Sequence, residues 1–510
     1  MKKYILLTII GAFGLIGCND FLDRDPLSDM SPSTFFGSKG DMRTWNAGIY
    51  DAMQKTLNRA HIDWGDLRSD NYTTTGYEDS QVYMNALEST KEEYSWKDLY
   101  ACITRCNTAI ERYPTIPGII ESDYANYIGQ AHGMRALMYF YAIRVWGRVP
   151  LVTAQWDGDV VKAQVTRSEI EVVKKQIMDD IIKAEAYLVN TSDKFYINYA
   201  TCKALKTDVH MWFKEYKEAL EASEYFENNS NFELVKNEAE WKQMFLVPNS
   251  SREAIFVMAW NFDADGGSLW PQRVGASNTN NGYKISQTLF QEFVDRRYSN
   301  QGTDGRLWNV LDTVKLYSNN SRMPISYNSY YAVGIEKNTK YSDVDPNREY
   351  DSKNSVYKSH WLVLSTTSAA VQPQIYRLAD VLLLRAEALN QQGRGSEALE
   401  IVNKIRKRVG YLADAKKEVS ATSNKEEVET VILLERQLEF MAEGKRWFDL
   451  VRTNRVIPVM DKVIKERQSA IGIAPTGFGD EGRILAPIYY REFEANPALK
   501  GDQNKPYSEG

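Results

Sequence analysis

Three stretches of the sequence partly match the residue types and spacing of ligand-binding loops. Residues 477–482 read Gly-Phe-Gly-Asp-Glu-Gly, but a dinucleotide-binding loop with this spacing lies between a strand and a helix of a βαβ unit. Pro487 follows closely and the chain soon ends, so a turn is the better interpretation. Residues 343–354 begin like a calcium-binding loop but lack its glycine and its final glutamate, and residues 263–266 fail similarly. We expect no cofactor, with an irregular calcium site as the alternative left open.

Motifs for catalysis are missing from the sequence. It has no His-Glu-x-x-His, Gly-x-Ser-x-Gly, phosphate-binding loop or Cys-x-x-Cys, and its four histidines are far apart along the chain. The 68 acidic residues leave a glycosidase carboxylate pair possible in principle, but no spacing points to one. The sequence therefore predicts a protein that is not an enzyme, with a glycoside hydrolase as a less favoured alternative.

The N-terminus is typical of an export signal. Residues 1–3 are positively charged, and residues 4–16 form an apolar run too short for a bilayer, which needs about 20 residues. The run ends in Leu-Ile-Gly-Cys, which resembles a bacterial lipobox. That resemblance implies cleavage after residue 17 and a lipid on Cys18, followed by a tether over residues 18–44. We expect an outer-membrane lipid anchor at the cell surface.

Composition and cysteine content exclude several other classes. The chain is 43% hydrophobic and 25% charged, which is ordinary for a globular protein, and its net charge of −6 provides no basic field for nucleic acid. The three remaining cysteines are an odd number, so they cannot form a complete disulfide framework. We interpret Cys102, Cys106 and Cys202 as small buried apolar residues.

Helical periodicity occupies the two ends of the chain, residues 45–227 and 375–510. The predicted helices are 94–113, 123–146, 167–189, 199–212, 216–227, 375–392, 396–409 and 425–443. They come in pairs with short connections, and Glu-Ala-Leu-Glu recurs at 218–221 and 397–400. This indicates a mainly α fold built on tetratricopeptide-like helix pairs.

Two polar, aromatic-rich stretches interrupt this pattern, an early loop at 58–84 and an insertion at 228–374. The insertion is too long for a featureless loop, so we expect a loop-rich subdomain with short strands such as 253–260. Aromatic rings pack on the C–H faces of sugars, and the neighbouring polar residues suit sugar hydroxyls. The rings could instead form the core of the subdomain. The candidate ligand-binding residues are Trp270, Arg273, Tyr283, Tyr327, Tyr330, Tyr331, Tyr72 and Tyr77.

Several passages resemble one known family along nearly the whole chain. Residues 376–390 read Tyr-Arg-Leu-Ala-Asp-Val-Leu-Leu-Leu-Arg-Ala-Glu-Ala-Leu-Asn, and residues 443–452 read Glu-Gly-Lys-Arg-Trp-Phe-Asp-Leu-Val-Arg. Residues 18–23, 146–152 and 434–440 also match that family, and all of these passages occur along the chain in the order that the family has. These passages are similar to the SusD/RagB family of nutrient-binding outer-membrane lipoproteins of Bacteroidetes.

The resemblance implies four tetratricopeptide-like pairs and a lid-like partnership with a TonB-dependent transporter of the SusC type. It also implies a cell-surface protein that captures oligosaccharide or polysaccharide and delivers it to that transporter. Alternatives are a binder of peptides or other nutrients with the same partner, and a pure protein-interaction scaffold.

The charged residues of the matched passages are interpreted as scaffold rather than site. A charge in an apolar helix must be paired when it is buried. We therefore expect Arg385 and Glu387 to find partners such as Glu435 or Arg436, and residues 446–449 to lie at a helix junction.

Overall fold

The computed structural model describes residues 35–74, 80–227, 229–266, 283–297, 299–306, 314–316, 322–324, 350–351, 356–357, 371–420 and 424–510. The proposed signal peptide and Cys18 lie outside these residues. Within them, none of the helices has the length and apolar character needed to cross a membrane.

The helices run through both ends of the chain and into the insertion. Those of the first part are α1 (Lys39–Gly65), α2 (Ser80–Tyr83), α3 (Lys97–Arg112), α4 (Glu121–Trp146), α5 (Ile170–Tyr187), α6 (Tyr199–Trp212) and α7 (Tyr216–Ser223). The insertion contributes α8 (Glu238–Leu246), α9 (Phe262–Asp265) and α10 (Gln287–Arg297). The last part has α11 (Leu378–Gln391), α12 (Gly395–Arg408), α13 (Lys425–Glu439), α14 (Arg446–Arg452), α15 (Val456–Ala470) and α16 (Tyr490–Ala495).

The strands are short and form small antiparallel sheets. They are β1 (Tyr72–Thr74), β2 (Val149–Pro150), β3 (Arg167–Ser168), β4 (Ala254–Val257), β5 (Tyr283–Ile285), β6 (Val314–Leu316), β7 (Arg322–Pro324), β8 (Tyr350–Asp351), β9 (Val356–Tyr357) and β10 (Gln374–Arg377). β1 pairs with β5, β2 with β3 and β4 with β10, while β7, β6, β9 and β8 form a four-stranded sheet in that order. A mainly helical fold with short strands in the insertion is confirmed.

The helices pack in consecutive pairs, as the periodicity predicted. α4 lies against both α3 and α5, α6 lies against α7, and α11 lies against α12. Helix α11 is central because it also contacts α6, α7 and α13, and every residue from Leu378 to Asn390 is buried. Its alanines, such as Ala386 and Ala388, are completely buried and allow this close approach. Cys102, Cys106 and Cys202 are free and buried, as expected.

Several local predictions were wrong. Residues 167–168 and 375–377, predicted as the starts of helices, lie in strands β3 and β10. Residues 58–65, assigned to the irregular early loop, continue helix α1, because Leu57, Ile62 and Trp64 are buried at its end. Helices α10 and α15 were not predicted either. Each buries one stripe of residues, such as Leu289, Phe290 and Phe293 in α10, between exposed positions.

The end of α1 is fixed by a close backbone approach that positions the early loop. A Cβ atom on Gly65 would lie 1.9 Å from the carbonyl oxygen of Gly444, which itself has a φ of 68°. Only glycine permits these two segments to meet so closely. Residues 66–74 therefore leave α1 directly against the turn between α13 and α14.

Candidate functional site

The two aromatic-rich segments meet in the sheet of β1 and β5. The strands are antiparallel, with Tyr72 opposite Ile285 and Thr74 opposite Tyr283. In the sequence, residue 75 follows Thr74 and residue 282 precedes Tyr283. The early loop and the insertion, which the sequence singled out separately, are therefore joined to the same end of one sheet.

A cleft of about 510 Å³ lies beside this sheet. Its walls come from the early loop, from α10, and from α13 and α15 in the last part of the chain. The lining residues are Asp70, Tyr72, Tyr83, Ser286, Thr288, Leu289, Glu292, Leu434, Gln437, Pro458, Val459, Lys462, Val463, Glu466, Arg467 and Ala470. Aliphatic, hydroxyl, amide and charged groups are mixed along it, as in sites that take a polar ligand with apolar faces.

One wall of the cleft holds an ion pair between Asp70 and Arg446. Arg446 Nε and Nη2 donate to the two oxygens of Asp70 at 2.8 and 2.9 Å. Gln437 Nε2 also donates to Asp70 at 3.0 Å. Burial favours the neutral carboxyl, but the Arg446 guanidinium outweighs it and holds the pKa of Asp70 below its usual range. Asp70 is therefore charged at neutral pH and fixed in orientation.

Arg467 ties the early loop to helix α15. Its guanidinium donates to the carbonyl oxygens of Ser69, Tyr72 and Tyr83 at 2.9, 2.7 and 2.6 Å. It also lies 4.1 Å from the centroid of the Tyr83 ring, a cation–π distance. The half-buried Tyr83 ring is thereby held in place at the edge of the cleft.

Tyr72 and Tyr283, two of the predicted ligand-binding residues, lie in the core. Each is 1% exposed, and their rings meet edge to face with centroids 6.3 Å apart. The Tyr72 hydroxyl donates to Asp66 at 3.2 Å. Tyr72 also lines the cleft, but in this arrangement little of either ring is open to a ligand. A binding role for the two tyrosines stays a prediction.

Asp66 lies beneath the early loop with its charge poorly compensated. It accepts hydrogen bonds from Asn71 Nδ2 at 2.7 Å and from Tyr72, but within the described residues no cation is paired with it. Burial raises the pKa of Asp66 to about 7 despite these hydrogen bonds. Its charge state therefore changes close to neutral pH.

Helix α10, which supplies one wall of the cleft, is held by Glu435 of α13. Arg296 at the end of α10 donates to Glu435 at 2.8 Å, and Arg306 does so at 2.6 Å. A third arginine, Arg406 of α12, donates at 2.8 Å. Burial opposes ionisation, but the three guanidinium groups hold the pKa of Glu435 well below its usual range. One buried carboxylate thus joins the insertion to two helices of the scaffold.

The network continues with Glu439, the last residue of α13, and with Glu443 in the turn that follows it. Glu439 bonds Arg306, Arg377 and Arg408, and Arg377 Nε and Nη2 each donate to Glu443 at 2.9 Å. Burial raises the pKa of Glu443 to about 7 although Arg377 opposes this. Arg306 precedes residues 307–370 and Arg377 follows them, so both ends of this part of the insertion are bound to Glu439.

The scaffold interpretation of the matched residues is supported, but two partners were wrong. Arg385 pairs with Glu227 at 2.7 Å, and Glu387 pairs with Arg452 at 2.6 Å, rather than with Glu435 or Arg436. The segments that lie beside Arg385 and Glu387 decide this, since Glu227 lies just beyond the end of α7 and Arg452 is the last residue of α14.

The remaining matched residues behave as expected. Arg436 joins Asp380 and Asp449 at 2.8 and 2.9 Å, and Trp447 is 1% exposed against the Arg68 guanidinium. The buried charges of Arg436, Asp380 and Asp449 thus compensate one another.

Six predicted functional residues lie outside the described residues. They are Trp270, Arg273, Tyr327, Tyr330, Tyr331 and Tyr77, and Cys18 lies outside as well. Conversely, sequence reasoning did not select Tyr83, Arg467 or Asp70. Tyr83 belongs to the aromatic-rich early loop, so the pattern contained a signal for it. The sequence contained no such signal for Arg467, because Arg467 is 384 residues away from Tyr83 along the chain.

The potential calcium stretches divide between described and undescribed parts of the chain. Residues 343–349 lie outside the described residues, whereas Asp263 and Asp265 belong to the short helix α9. Among described residues, no three His, Cys, Asp or Glu side chains cluster as a metal site would require. Residues 477–482 form a turn in which Gly477 and Gly479 have φ of 80° and 81°, as interpreted from the sequence.

Comparison with known proteins gives the same family at both ends of the chain. The model of the SusD family matches residues 237–507. A second model, described as "Starch-binding associating with outer membrane", matches residues 20–208. A SusD-like protein of Formosa agariphila is 31% identical over 99% of this chain and 100% of its own length. The chain therefore belongs to the SusD family.

Solved structures share the fold at lower identity. B. fragilis NanU is 20% identical, with a TM-score of 0.68 over 95% of this chain and 100% of its own. A SusD homolog from Bacteroides thetaiotaomicron is 18% identical, with a TM-score of 0.72 over 93% of this chain and 98% of its own. The helix-pair scaffold is thus the common feature.

Proposed function

We propose that this protein is a cell-surface lipoprotein that binds glycans without cleaving them and delivers them to a TonB-dependent transporter of the SusC type. The observation that carries the proposal is the pairing of β1 with β5. It anchors the early loop and the insertion at one end of a sheet beside the cleft. Family membership supports a glycan as the ligand.

The proposed binding surface combines this cleft with the aromatic residues joined to it in sequence. Tyr77 follows β1 by three positions, and residues 267–282, which include Trp270 and Arg273, lead directly into β5. A sugar ring needs an apolar face to pack on and hydrogen-bonding groups at its rim. Trp270 and Tyr77 would supply the first, and the polar residues of the cleft the second.

The proposed location and partner rest on the N-terminal sequence and the family. A lipid on Cys18 would anchor the protein, and the family description "associating with outer membrane" supports that compartment. Two or more acyl chains on one residue give a stable anchor, whereas one chain binds only marginally. A transporter partner in the same membrane would receive the bound glycan.

Isothermal titration calorimetry with a panel of oligosaccharides tests the proposal. The panel contains neutral members (maltohexaose, xylohexaose, mannohexaose) and acidic ones (oligogalacturonate, oligomannuronate, a chondroitin sulfate hexasaccharide), with short peptides as the competing ligand class. At least one glycan should bind to the soluble protein that begins after Cys18. Replacing Trp270 with alanine should weaken this binding.

Trp156 provides the matched control. It is a tryptophan in the loop between β2 and β3, it is 63% exposed, and it does not line the cleft. The Trp156→Ala variant should bind the glycan as the unmodified protein does. Binding to peptides alone, or equal effects of the Trp270→Ala and Trp156→Ala changes, would count against the proposed site.

A further inference from the structure

Three arginines near the cleft differ from the other buried arginines of this fold. Arg306, Arg377 and Arg436, for example, each bond buried carboxylates. Arg68, Arg467 and Arg483 form no ion pair with any described carboxylate, and their hydrogen bonds to described residues go to neutral oxygens. Such a concentration of uncompensated positive charge is unusual, because burying a charge is costly unless it is paired.

The three guanidinium groups surround the segment from Tyr83 to Asn85. Arg68 Nε donates to Asn85 Oδ1 at 2.8 Å, and Arg483 Nη1 lies 3.5 Å from the Asn85 carbonyl oxygen. Arg467 donates to the Tyr83 carbonyl oxygen and, like Tyr83, lines the cleft. Of the three arginines, Arg467 lines the cleft itself, while Arg68 and Arg483 are linked to the cleft edge through this short segment.

Two of these charges are largely removed from solvent. Arg68 is 2% exposed and Arg467 is 5% exposed. Burial lowers the pKa of both guanidinium groups, and no carboxylate restores them to the usual range. Water screens a buried charge less than an exposed one, so the field of these groups extends into the cleft.

The acidic groups that line the cleft have cations of their own. Asp70 pairs with Arg446, and Glu292 accepts from Arg296 Nε at 2.7 Å. Glu466 lies 4.0 Å from Lys462 on the exposed face of α15. Asp70 is close enough to act on the pKa of Arg467, but its two oxygens bond Arg446. None of these carboxylates forms an ion pair with Arg467, so that guanidinium is left to act on an incoming ligand.

We infer that the glycan bound in this cleft is acidic, carrying carboxylate or sulfate groups, and that Arg467 with Arg68 and Arg483 provides its counter-charge. This inference rests on the proposed function, because it names the ligand class of the same site. The Arg467 donors are already engaged with the carbonyl oxygens of Ser69, Tyr72 and Tyr83, so Arg467 acts on either kind of anion through its charge. Arg467 is the nearest of the three to a ligand, and Arg68 and Arg483 add to the potential from behind Asn85.

The oligosaccharide panel described above tests this inference directly. We expect the members that bind to be acidic, and their affinity to fall as sodium chloride is raised. Each acidic ligand that binds is then measured again after carboxyl reduction or desulfation, which keeps the sugar chain and removes its charge. The affinity of the neutral form should be at least about tenfold lower than that of the acidic form. These measurements use the unmodified protein, so they do not depend on a variant folding.

A variant assigns the effect to the arginine. The Arg467→Gln change should weaken binding of the acidic ligand and reduce its dependence on salt. Lys465→Gln is the matched control, because it removes the same charge from the same helix, and Lys465 does not line the cleft. The control should bind as the unmodified protein does. Melting temperatures of both variants show whether the loss of Arg467 has disturbed the early loop.

The outcomes separate this inference from the proposed function. Binding of neutral glycans alone, or equal affinity for the charged and neutral forms of one ligand, would overturn the acidic ligand class and leave glycan binding intact. If no member of the panel binds, the proposed function fails together with this inference. If Lys465→Gln weakens binding as much as Arg467→Gln, the assignment to Arg467 is wrong.

Discussion

Replacement of Glu435 with glutamine should be among the most damaging single changes in this protein. The change keeps the size of the side chain and removes its charge. Arg296, Arg306 and Arg406 all donate to Glu435 within 2.8 Å, and Glu435 and Arg306 are completely buried. Without the carboxylate, three guanidinium groups remain close together with less negative charge to compensate them.

The expected loss follows from the measured behaviour of other buried pairs. Removing one partner of a buried ion pair costs about 3–5 kcal/mol, because the other charge is left uncompensated. Glu439 still bonds Arg306 and Glu418 still bonds Arg406, which limits the loss. We therefore expect a decrease of about 3 kcal/mol in the free energy of unfolding. Denaturation with urea, followed by circular dichroism at neutral pH, measures it.

An exposed ion pair provides the control. Glu400 pairs with Lys416 at 2.8 Å, but the two side chains are 65% and 37% exposed. Water already solvates such a pair, so Glu400→Gln should cost less than about 1 kcal/mol. If Glu435→Gln is no more damaging than Glu400→Gln, the buried network contributes little and the reasoning about how α10 is held is refuted.

The pH dependence of the Glu435 contribution has a definite sign. The pKa of Glu435 is lower in the folded protein than in the unfolded chain, where it is about 4.3. Its stabilising effect is therefore fully present above that unfolded value and is lost as the pH falls toward the folded pKa. The difference between the unmodified protein and Glu435→Gln should shrink in acid. A difference that grows in acid would mean that the arginines do not lower this pKa.

Four further expectations concern other parts of the chain. As the pH rises from 5 to 8, the Asp66→Asn variant should gain stability relative to the unmodified protein, on the order of a few kcal/mol, because the folded-state pKa of Asp66 is about 7. Thermal melts across that pH range measure the difference in stability, and a difference that does not change with pH would contradict this expectation. Cys18→Ala should release the protein from outer-membrane fractions prepared without the transporter, and retention there would count against the anchor. The purified protein should leave the chain length of its bound glycan unchanged by chromatography, whereas product that disappears with one Asp or Glu substitution would indicate an enzyme. Trp270→Ala should reduce the binding free energy by about 1–3 kcal/mol, by analogy with base stacking on aromatic rings. Tyr283→Ala should instead reduce the free energy of unfolding by about 3–5 kcal/mol. If both changes lower the melting temperature equally, Trp270 is a core residue.

The sequence determined the helical scaffold because the helix signal is local. Apolar residues repeat every three or four positions wherever a helix buries one face, so 199–212 was predicted with both ends correct. Helices α10 and α15, which line the cleft and keep an exposed polar face, were missed. Charges within apolar helices also predicted buried pairing, and Glu435, Arg436 and Glu387 are all buried and paired.

Partners and shapes were decided only by the tertiary structure, because they join segments that are far apart in sequence. Glu435 and Arg296 are separated by 139 residues, and no local pattern could select Arg296 over the other arginines of the chain. The aromatic-rich stretches were selected as candidate binding segments, but composition could not tell Tyr283, in the core, from Tyr83, at the edge of the cleft. Burial depends on which surfaces the packed helices cover. That is why the sequence predicted the scaffold, while the cleft and the position of Arg467 in its wall emerged only from the fold.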